Sequence, residues 1–170
     1  IDSWKTSLTQ TQGAQPAIVA ASVAVTEALA HFGITPSLAI GYSLGEWSAL
    51  WSAGVLSERD LYRCVAARGR AMAARSDVKG AMATVAASPT EVQNLLDKVN
   101  GYVVIAGYNT PRQAVISGES EAVSSAIALC RRQGFAAIPL RVSNAFHSAL
   151  VSSSTEILRK ELSTVAIAEP

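Results

Sequence analysis

A serine between two glycines is the feature of this chain with the clearest chemical potential. Residues 41–45 read Gly41-Tyr42-Ser43-Leu44-Gly45, the pattern G-x-S-x-G, between a predicted strand and a predicted helix. In that setting the chain turns sharply, so that the serine oxygen projects at the strand end and the flanking positions must be small. The turn also leaves the Leu44 N–H beside a helix N-terminus, where it can stabilise an oxyanion. The motif predicts a nucleophilic Ser43.

A serine nucleophile needs a base, and the chain contains two histidines. His31 lies near the end of the first predicted helix, before Gly33, which is typical of a helix cap or a solvent-facing side chain. His147 follows a predicted strand, in the polar-flanked run 143–148. A histidine placed there, at the edge of a sheet, could meet Ser43, and the residues alone leave that meeting open.

The elements that must position Ser43 are predicted from periodicity and from helix start and stop signals. Pro16 can open the first helix, Gly54 ends the second, and Ser57 caps the third with Glu58 and Asp60 in its first turn. Residues 1–14 are polar and predict no element. The predicted elements are helices over 16–32, 45–53, 57–75 and 149–163 and a strand over 37–40.

Residues 80–142 follow a different order of elements: strand, helix, strand, strand, helix, strand. That order is ferredoxin-like. The predicted strands cover 81–87, 102–106, 113–117 and 135–142, and the predicted helices 88–100 and 120–133. We interpret 80–142 as a ferredoxin-like subdomain inserted into an α/β catalytic core made of 1–79 and 143–170.

Composition narrows the class of protein. The chain has 170 residues, of which 49% are hydrophobic and 16% charged, with a net charge of +1, which is typical of a globular, helix-rich domain. We expect no nucleic-acid partner because no dense basic stripe occurs, and no membrane partner because no apolar run reaches the length of a span. Cys64 and Cys130 are predicted to be buried small side chains in a reducing, cytoplasmic setting, without a metal site. The start at Ile1 indicates an excised piece.

Five stretches, in chain order, match motifs of one enzyme family. Residues 41–50 match G-H-S-x-G-E-[YW]-[ST]-A. The others are 15–18 (Q-P-A-[IL]), 68–72 (R-[GS]-x-x-M), 109–118 (N-x-P-x-x-x-V-[IV]-[SA]-G) and 145–148, the end of H-A-F-H-S. The chain thus resembles, over nearly its whole length, the malonyl-CoA:acyl-carrier-protein acyltransferases of fatty-acid synthesis. Trp47 and the overall wording of the motifs make it most similar to the acyltransferase domains of polyketide synthases, with an iterative enediyne-type synthase as the finer interpretation.

The resemblance implies a role for each matching residue. Ser43 is the nucleophile and His147 its general base, a dyad without a carboxylate. Arg68 matches the arginine that pairs with the malonyl carboxylate, and a guanidinium fork suits that task chemically. Phe146 and Leu44 match positions that accompany malonyl rather than methylmalonyl selection. Two further residues, Gln15 and Asn109, match substrate-binding positions.

The resemblance also implies the reaction, the partners and the fold. Malonyl-CoA is the substrate, no cofactor is bound, and the acceptor is the phosphopantetheine thiol of an acyl carrier protein, beside other domains of a multidomain synthase. The fold is an α/β-hydrolase-like parallel-sheet core with the inserted subdomain. We expect that core to be incomplete here, because the family's upstream G-Q-G segment and the downstream segment that orients the histidine do not occur in this sequence.

Two departures and two alternatives remain. Tyr42 and Asn144 stand where the family has histidines, which puts the shape of the pocket in doubt rather than the dyad.

The main alternative is a G-x-S-x-G hydrolase of the esterase or phospholipase kind, with Asp60, Asp77 or Asp97 completing a triad. A non-catalytic docking domain that keeps the fold is the second. Arg68 argues against the hydrolase, because a simple esterase has no need of a sheltered cation facing the acyl chain. The presence of Ser43, His147 and Arg68 together argues against the non-catalytic domain.

Overall fold

The computed structural model describes residues 7–73, 79–142 and 144–170. The chain divides into two compact units, one formed by Ile1–Ala74 with Ser154–Pro170 and the other by Arg75–Ser153. Ser43 and Arg68 belong to the first unit and His147 to the second. The division between the units therefore lies within the segment 143–170 that the sequence analysis assigned to the core.

The first unit is helical in its described part. Its interior is formed by apolar side chains of three helices, with Val19, Leu61 and Val65 almost completely buried. Trp47 closes this core from the short helix that follows Ser43. The helices are α1 (Thr11–His31), α2 (Gly45–Ser52), α3 (Glu58–Ala73) and, near the end of the chain, α6 (Ser154–Leu162).

Helix α1 begins five residues before the predicted start at Pro16. Pro16 lies inside the helix, where its missing N–H removes one helical hydrogen bond. The extra turn is held by tertiary contacts: a Cβ at Gly69 of α3 would lie 3.1 Å from the Cα of Gln12, so the two helices approach closely there. The Gln15 amide donates a 2.7 Å hydrogen bond to the Thr11 hydroxyl one turn earlier. The close packing of α1 against α3 therefore explains why the helix begins before Pro16.

The length of α1 bears on the expectation that no apolar run is long enough to span a membrane. Among the described helices, α1 is long and apolar enough, by length and composition, to cross a membrane. Its many alanines raise the mean hydropathy of the helix, although polar residues interrupt the apolar ones. Its buried side chains, which include Val19 and Val23, are part of the helical core.

The predicted strand over residues 37–40 is not observed. In the part of the chain that the structure describes, these residues are in neither helix nor strand, and the sheet is antiparallel. Leu38 is 77% exposed and Ile40 87% exposed. A strand forms by pairing with a neighbour, and no described segment pairs with this one. The predicted parallel-sheet core is therefore not seen in the described residues.

The second unit has the ferredoxin-like order that the sequence predicts. Its four strands form an antiparallel sheet in the order β2-β3-β1-β4. Two helices complete its core, in which Ala83, Val92 and Ile116 are fully buried. The elements are β1 (Gly80–Val85), α4 (Pro89–Leu96), β2 (Val103–Thr110), β3 (Gln113–Glu119), α5 (Ser120–Arg132) and β4 (Ala137–Pro139).

Local signals explain where several of these elements begin and end. Ser88 and Glu91 form a capping box at the start of α4, each side chain bonding the other residue's backbone N–H. Strand β4 is shorter than predicted and stops at Pro139, which has no N–H to donate. The predicted helix 149–163 is interrupted: a 3₁₀ turn at Ala149–Val151 precedes α6.

Candidate active site

The backbone at two described residues is in the left-handed region. Among the described residues other than glycine, only Ser43 (φ 53°) and His147 (φ 56°) have positive φ. This conformation crowds a Cβ and costs about 1–3 kcal/mol, so it persists only where the surroundings impose it, often at functional sites. The two residues that the sequence singles out as nucleophile and base are thus the two with this strain.

Gly41 makes the turn at Ser43 possible. A Cβ at Gly41 would overlap the backbone N and Cα of Glu46 and would lie 2.5 Å from the carbonyl carbon of Gly45. The chain therefore crosses the first turn of α2 at van der Waals distance. Gly45 differs from the expectation, because a Cβ there would meet no described atom within 4 Å outside its chain neighbours and the backbone of its own helix. Only the first glycine of G-x-S-x-G is required by contacts within the described residues.

Alanine at the two glycines should therefore change the free energy of unfolding by very different amounts. We expect Gly41→Ala to lower the free energy of unfolding by about 3 kcal/mol, because backbone atoms cannot move away as a flexible side chain would. Gly45→Ala should change it by less than about 0.5 kcal/mol. Chemical denaturation of the complete protein measures both, and equal destabilisation by the two variants would contradict the turn geometry.

The N–H of Leu44, the predicted oxyanion donor, differs from the two amides that follow it. The next two amides are used, since Gly45 N–H donates to the Tyr42 carbonyl at 2.9 Å and Glu46 N–H to the Ser43 carbonyl at 3.2 Å. Within the described residues the Leu44 N–H has no hydrogen-bond acceptor. It stands at the N-terminus of α2, where the helix dipole favours negative charge.

Arg68 and Gln15, two predicted substrate-binding residues, are in direct contact. Arg68 Nη1 donates a 2.7 Å hydrogen bond to Gln15 Oε1. Gln15 is 5% exposed, and its Nε2 donates to Thr11 Oγ1 at 2.7 Å and to Met72 Sδ at 3.5 Å. These bonds turn the amide so that its oxygen faces the guanidinium. Thr11 was not predicted as part of this cluster, because its i, i+4 relation to Gln15 exists only in the helix that begins at Thr11, before the predicted start at Pro16.

The electrostatics of Arg68 are unusual for an arginine. Burial lowers the pKa of its guanidinium, and the negative charge of Glu46 partly opposes that shift. In the described part of the chain, Arg68 forms no salt bridge. Its hydrogen-bond acceptor among the described residues is the neutral amide of Gln15, although a guanidinium carries five N–H donors. A half-buried cation without a carboxylate partner is suited to an anionic ligand.

His147 stands on a turn that is anchored within the second unit. Ala145 is 1% exposed and packs against Gly80, where a Cβ would lie 2.5 Å from the Ala145 nitrogen. The Ser148 hydroxyl donates to the Ala145 carbonyl at 2.7 Å and closes the turn. His147 itself is exposed and Phe146 half-buried. Since Ser43 belongs to the other unit, the proposed dyad stays a prediction.

The remaining predicted binding residue lies at the tip of the β2–β3 hairpin. Asn109 is exposed, and its Nδ2 donates a 3.0 Å hydrogen bond to Gln113 Oε1 across the hairpin. It belongs to the last residues of β2, which extends beyond the predicted strand 102–106. Its assignment to substrate binding stays a prediction.

Two of the carboxylates considered for a hydrolase triad are engaged elsewhere. Asp60 accepts hydrogen bonds from Ser57 and from Arg63, the latter at 3.1 Å. Asp97 accepts a 2.7 Å hydrogen bond from Gln93. Asp77 lies outside the described residues. The described carboxylates give the triad interpretation no support.

The cysteines are buried, as predicted, and both thiols are free. Burial raises the pKa of the Cys64 and Cys130 thiols, which keeps them protonated and poorly nucleophilic. No group of three or more metal-ligating side chains occurs among the residues that the structure describes.

The sequence matches the family model of the acyl transferase domain over residues 2–170. It is 42% identical to the malonyl CoA-acyl carrier protein transacylase of Bacillus subtilis over 161 residues, which are 91% of this chain and 51% of that protein. It is 40% identical to a phenolphthiocerol-synthesis type I polyketide synthase of Mycobacterium marinum, over 96% of this chain and 8% of that protein. The chain thus spans about half of the first relative.

Solved structures give the same result. The acyltransferase domain of an iterative polyketide synthase in enediyne biosynthesis superposes with a TM-score of 0.87 at 33% identity, covering 96% of this chain and 44% of that one. The malonyl CoA-acyl carrier protein transacylase of Clostridium perfringens superposes with a TM-score of 0.88 at 34% identity, over 97% and 54%. The resemblance stated from the motifs is confirmed.

Proposed function

Because the chain belongs to the acyl transferase domain family, we propose that its protein moves a malonyl group from coenzyme A to a carrier-bound thiol through an ester on Ser43. The carrier thiol is the phosphopantetheine arm of an acyl carrier protein, the partner named for several relatives. The setting is cytoplasmic fatty-acid or polyketide synthesis, with the polyketide synthase domain favoured by the sequence motifs.

The observation that carries this proposal is the environment of Arg68. A half-buried guanidinium bonded to a neutral amide is stabilised by an anion that can accept two of its parallel N–H groups. An acyl donor that ends in a free carboxylate supplies that anion. An ester or acetyl substrate does not, so the residue favours a dicarboxylic acyl group over the substrates of a general esterase.

In the first half-reaction, Ser43 Oγ attacks the thioester carbonyl while His147 removes its proton. The carbonyl oxygen becomes an oxyanion that the Leu44 N–H stabilises at the N-terminus of α2. The tetrahedral intermediate collapses, the C–S bond breaks, and the thiolate of coenzyme A takes the proton from His147. The product is a malonyl ester of Ser43.

In the second half-reaction, the phosphopantetheine thiol attacks that ester. His147 removes the thiol proton, the new C–S bond forms, and the C–O bond to Ser43 breaks. The proton then returns to Ser43 Oγ, which regenerates the enzyme. No redox change or metal ion is needed to balance either step.

Selection between malonyl and methylmalonyl donors is assigned to Phe146 and Leu44. A bulky ring at 146 leaves less room beside the α-carbon of the acyl group. One methyl group discriminates by only about 1–3 kcal/mol, so we expect a preference of about tenfold to a hundredfold rather than exclusion.

Intact mass spectrometry of the complete protein tests this function. The protein is mixed separately with malonyl-CoA, methylmalonyl-CoA and acetyl-CoA, and the covalent adduct is followed with time. Malonyl-CoA should give one malonyl adduct fastest, and the adduct should disappear when a phosphopantetheinylated carrier protein is added. An adduct that forms equally from acetyl-CoA, or that is lost to water as fast as to the carrier, would indicate a hydrolase.

A carboxylate at position 15 should occupy Arg68 and so compete with the carboxylate of the malonyl group. Gln15→Glu keeps the shape of the side chain and replaces the 2.7 Å amide contact to Arg68 by an ion pair. A charge-assisted bond is worth about 1.5–3 kcal/mol, so acylation by malonyl-CoA should fall about tenfold to a hundredfold while acetyl-CoA is unaffected. Gln12→Glu, an exposed change in the same helix with the same charge, is the control. Equal losses in both variants would contradict the assignment.

A further inference from the structure

Tyr102, a residue that no motif includes, lies against the turn that carries His147. It precedes β2 and is half-buried. Its phenol oxygen accepts a 2.9 Å hydrogen bond from the Ala149 N–H, two residues after His147. Both residues belong to the second unit, so this contact is internal to one compact body.

The backbone of Tyr102 is itself held on both sides by one residue. Its N–H donates to the Glu119 carboxylate at 3.1 Å, and its carbonyl accepts from the Glu119 N–H at 2.8 Å. Glu119 ends β3 and precedes α5. The phenol is thus presented from a fixed point at the junction of two strands and a helix.

The turn at His147 needs such support because its backbone is strained. At its N-terminal side, Ala145 is fixed against Gly80, and the Ser148 hydroxyl bonds the Ala145 carbonyl. On the C-terminal side, the Leu150 N–H donates to the Ser148 hydroxyl at 3.2 Å, a bond local to the turn. The Tyr102–Ala149 bond joins that side of the turn to the sheet of the second unit.

We propose that Tyr102 is a positioning residue for His147, holding the turn 145–149 in the conformation that presents the imidazole. The inference rests on the proposed function for its purpose, since His147 is the base there. Tyr102 touches no reacting atom and acts through the backbone of Ala149 alone. Its loss should loosen the histidine without changing the affinity of the acyl donor.

The test compares Tyr102→Phe with Tyr108→Phe, which removes an exposed phenol from β2 of the same sheet. The loss of one modest intramolecular hydrogen bond favours local opening, so amide exchange at Ala149, measured by NMR on the complete protein, should accelerate about threefold to tenfold in Tyr102→Phe. It should not change in Tyr108→Phe. Unaltered exchange at Ala149 in Tyr102→Phe overturns the inference, whatever the protein's activity.

The catalytic consequence is measured by a double-mutant cycle. Tyr102→Phe should lower kcat for malonyl transfer about threefold to tenfold at constant KM, and it should have no further effect in a His147→Ala background. An undiminished effect in that background would show a merely structural role and overturn the inference. A wild-type protein that forms no malonyl adduct rejects the proposed function, and the exchange measurement then decides the positioning claim by itself.

Discussion

Replacing Ser43 with alanine is expected to abolish the malonyl adduct completely. In the proposed function the adduct of the wild-type protein is an ester of the Ser43 oxygen. Alanine removes that atom while keeping the Cβ that the left-handed backbone already accommodates (φ 53°). The fold should therefore be retained. Intact mass after incubation with malonyl-CoA measures the result, with circular dichroism as the check on folding.

The matched control is Ser52→Ala, at the other end of α2, which should keep the full adduct. A malonyl mass that persists in Ser43→Ala would place the nucleophile elsewhere and reject the assignment. Loss in both variants would mean that α2 is disturbed as a whole, and the adduct would then have to be located by peptide mapping of the wild-type protein.

Replacing Arg68 with alanine is expected to reverse the donor preference. The change removes the guanidinium that we assign to the malonyl carboxylate. Truncating one partner of a sheltered charged contact costs about 2–5 kcal/mol, so acylation by malonyl-CoA should fall by two to three orders of magnitude. Acetyl-CoA has no free carboxylate, and its reaction should be unchanged or faster because a half-buried cation that this donor does not use has been removed. Single-turnover rates with the two donors measure the reversal.

Arg70→Ala is the control, since Arg70 is an exposed arginine of the same helix and its loss changes the net charge equally. It should leave both rates unchanged. General misfolding would slow both donors together and could not produce a reversal. Parallel losses with malonyl-CoA and acetyl-CoA in Arg68→Ala would mean that Arg68 is structural, and the dicarboxylic substrate class would lose its physical basis.

Local signals in the sequence were sufficient for most of the second unit. The order of its strands and helices and the capping box at Ser88 depend on interactions between residues that are close in the chain, or on alternation along a strand. The turn at Ser43 was predicted for the same reason, because the glycine at 41 and the helix that follows are local features. The sharing of positive φ by Ser43 and His147 has no sequence signature.

Features that depend on distant partners were not predicted. Helix α1 extends to Thr11 because α3 packs closely at Gly69, and a sequence pattern does not contain that contact. Residues 37–40 have the apolar composition of a strand, but pairing decides whether a strand forms. Tyr102 was not predicted because its contribution depends on a single hydrogen bond from a backbone N–H 47 positions away.

The left-handed backbone at Ser43 and His147 also sets a limit on how this protein can be improved. Glycine adopts such a backbone without penalty, so the substitution that would best relieve the chain at each position also removes the hydroxyl or the imidazole to which we assign the chemistry. Selection for thermal resistance alone, in a library scored without a turnover assay, should therefore tend to enrich inactive variants at both positions. A library designed to raise the thermal stability of this fold should therefore keep Ser43 and His147 unchanged and vary other positions.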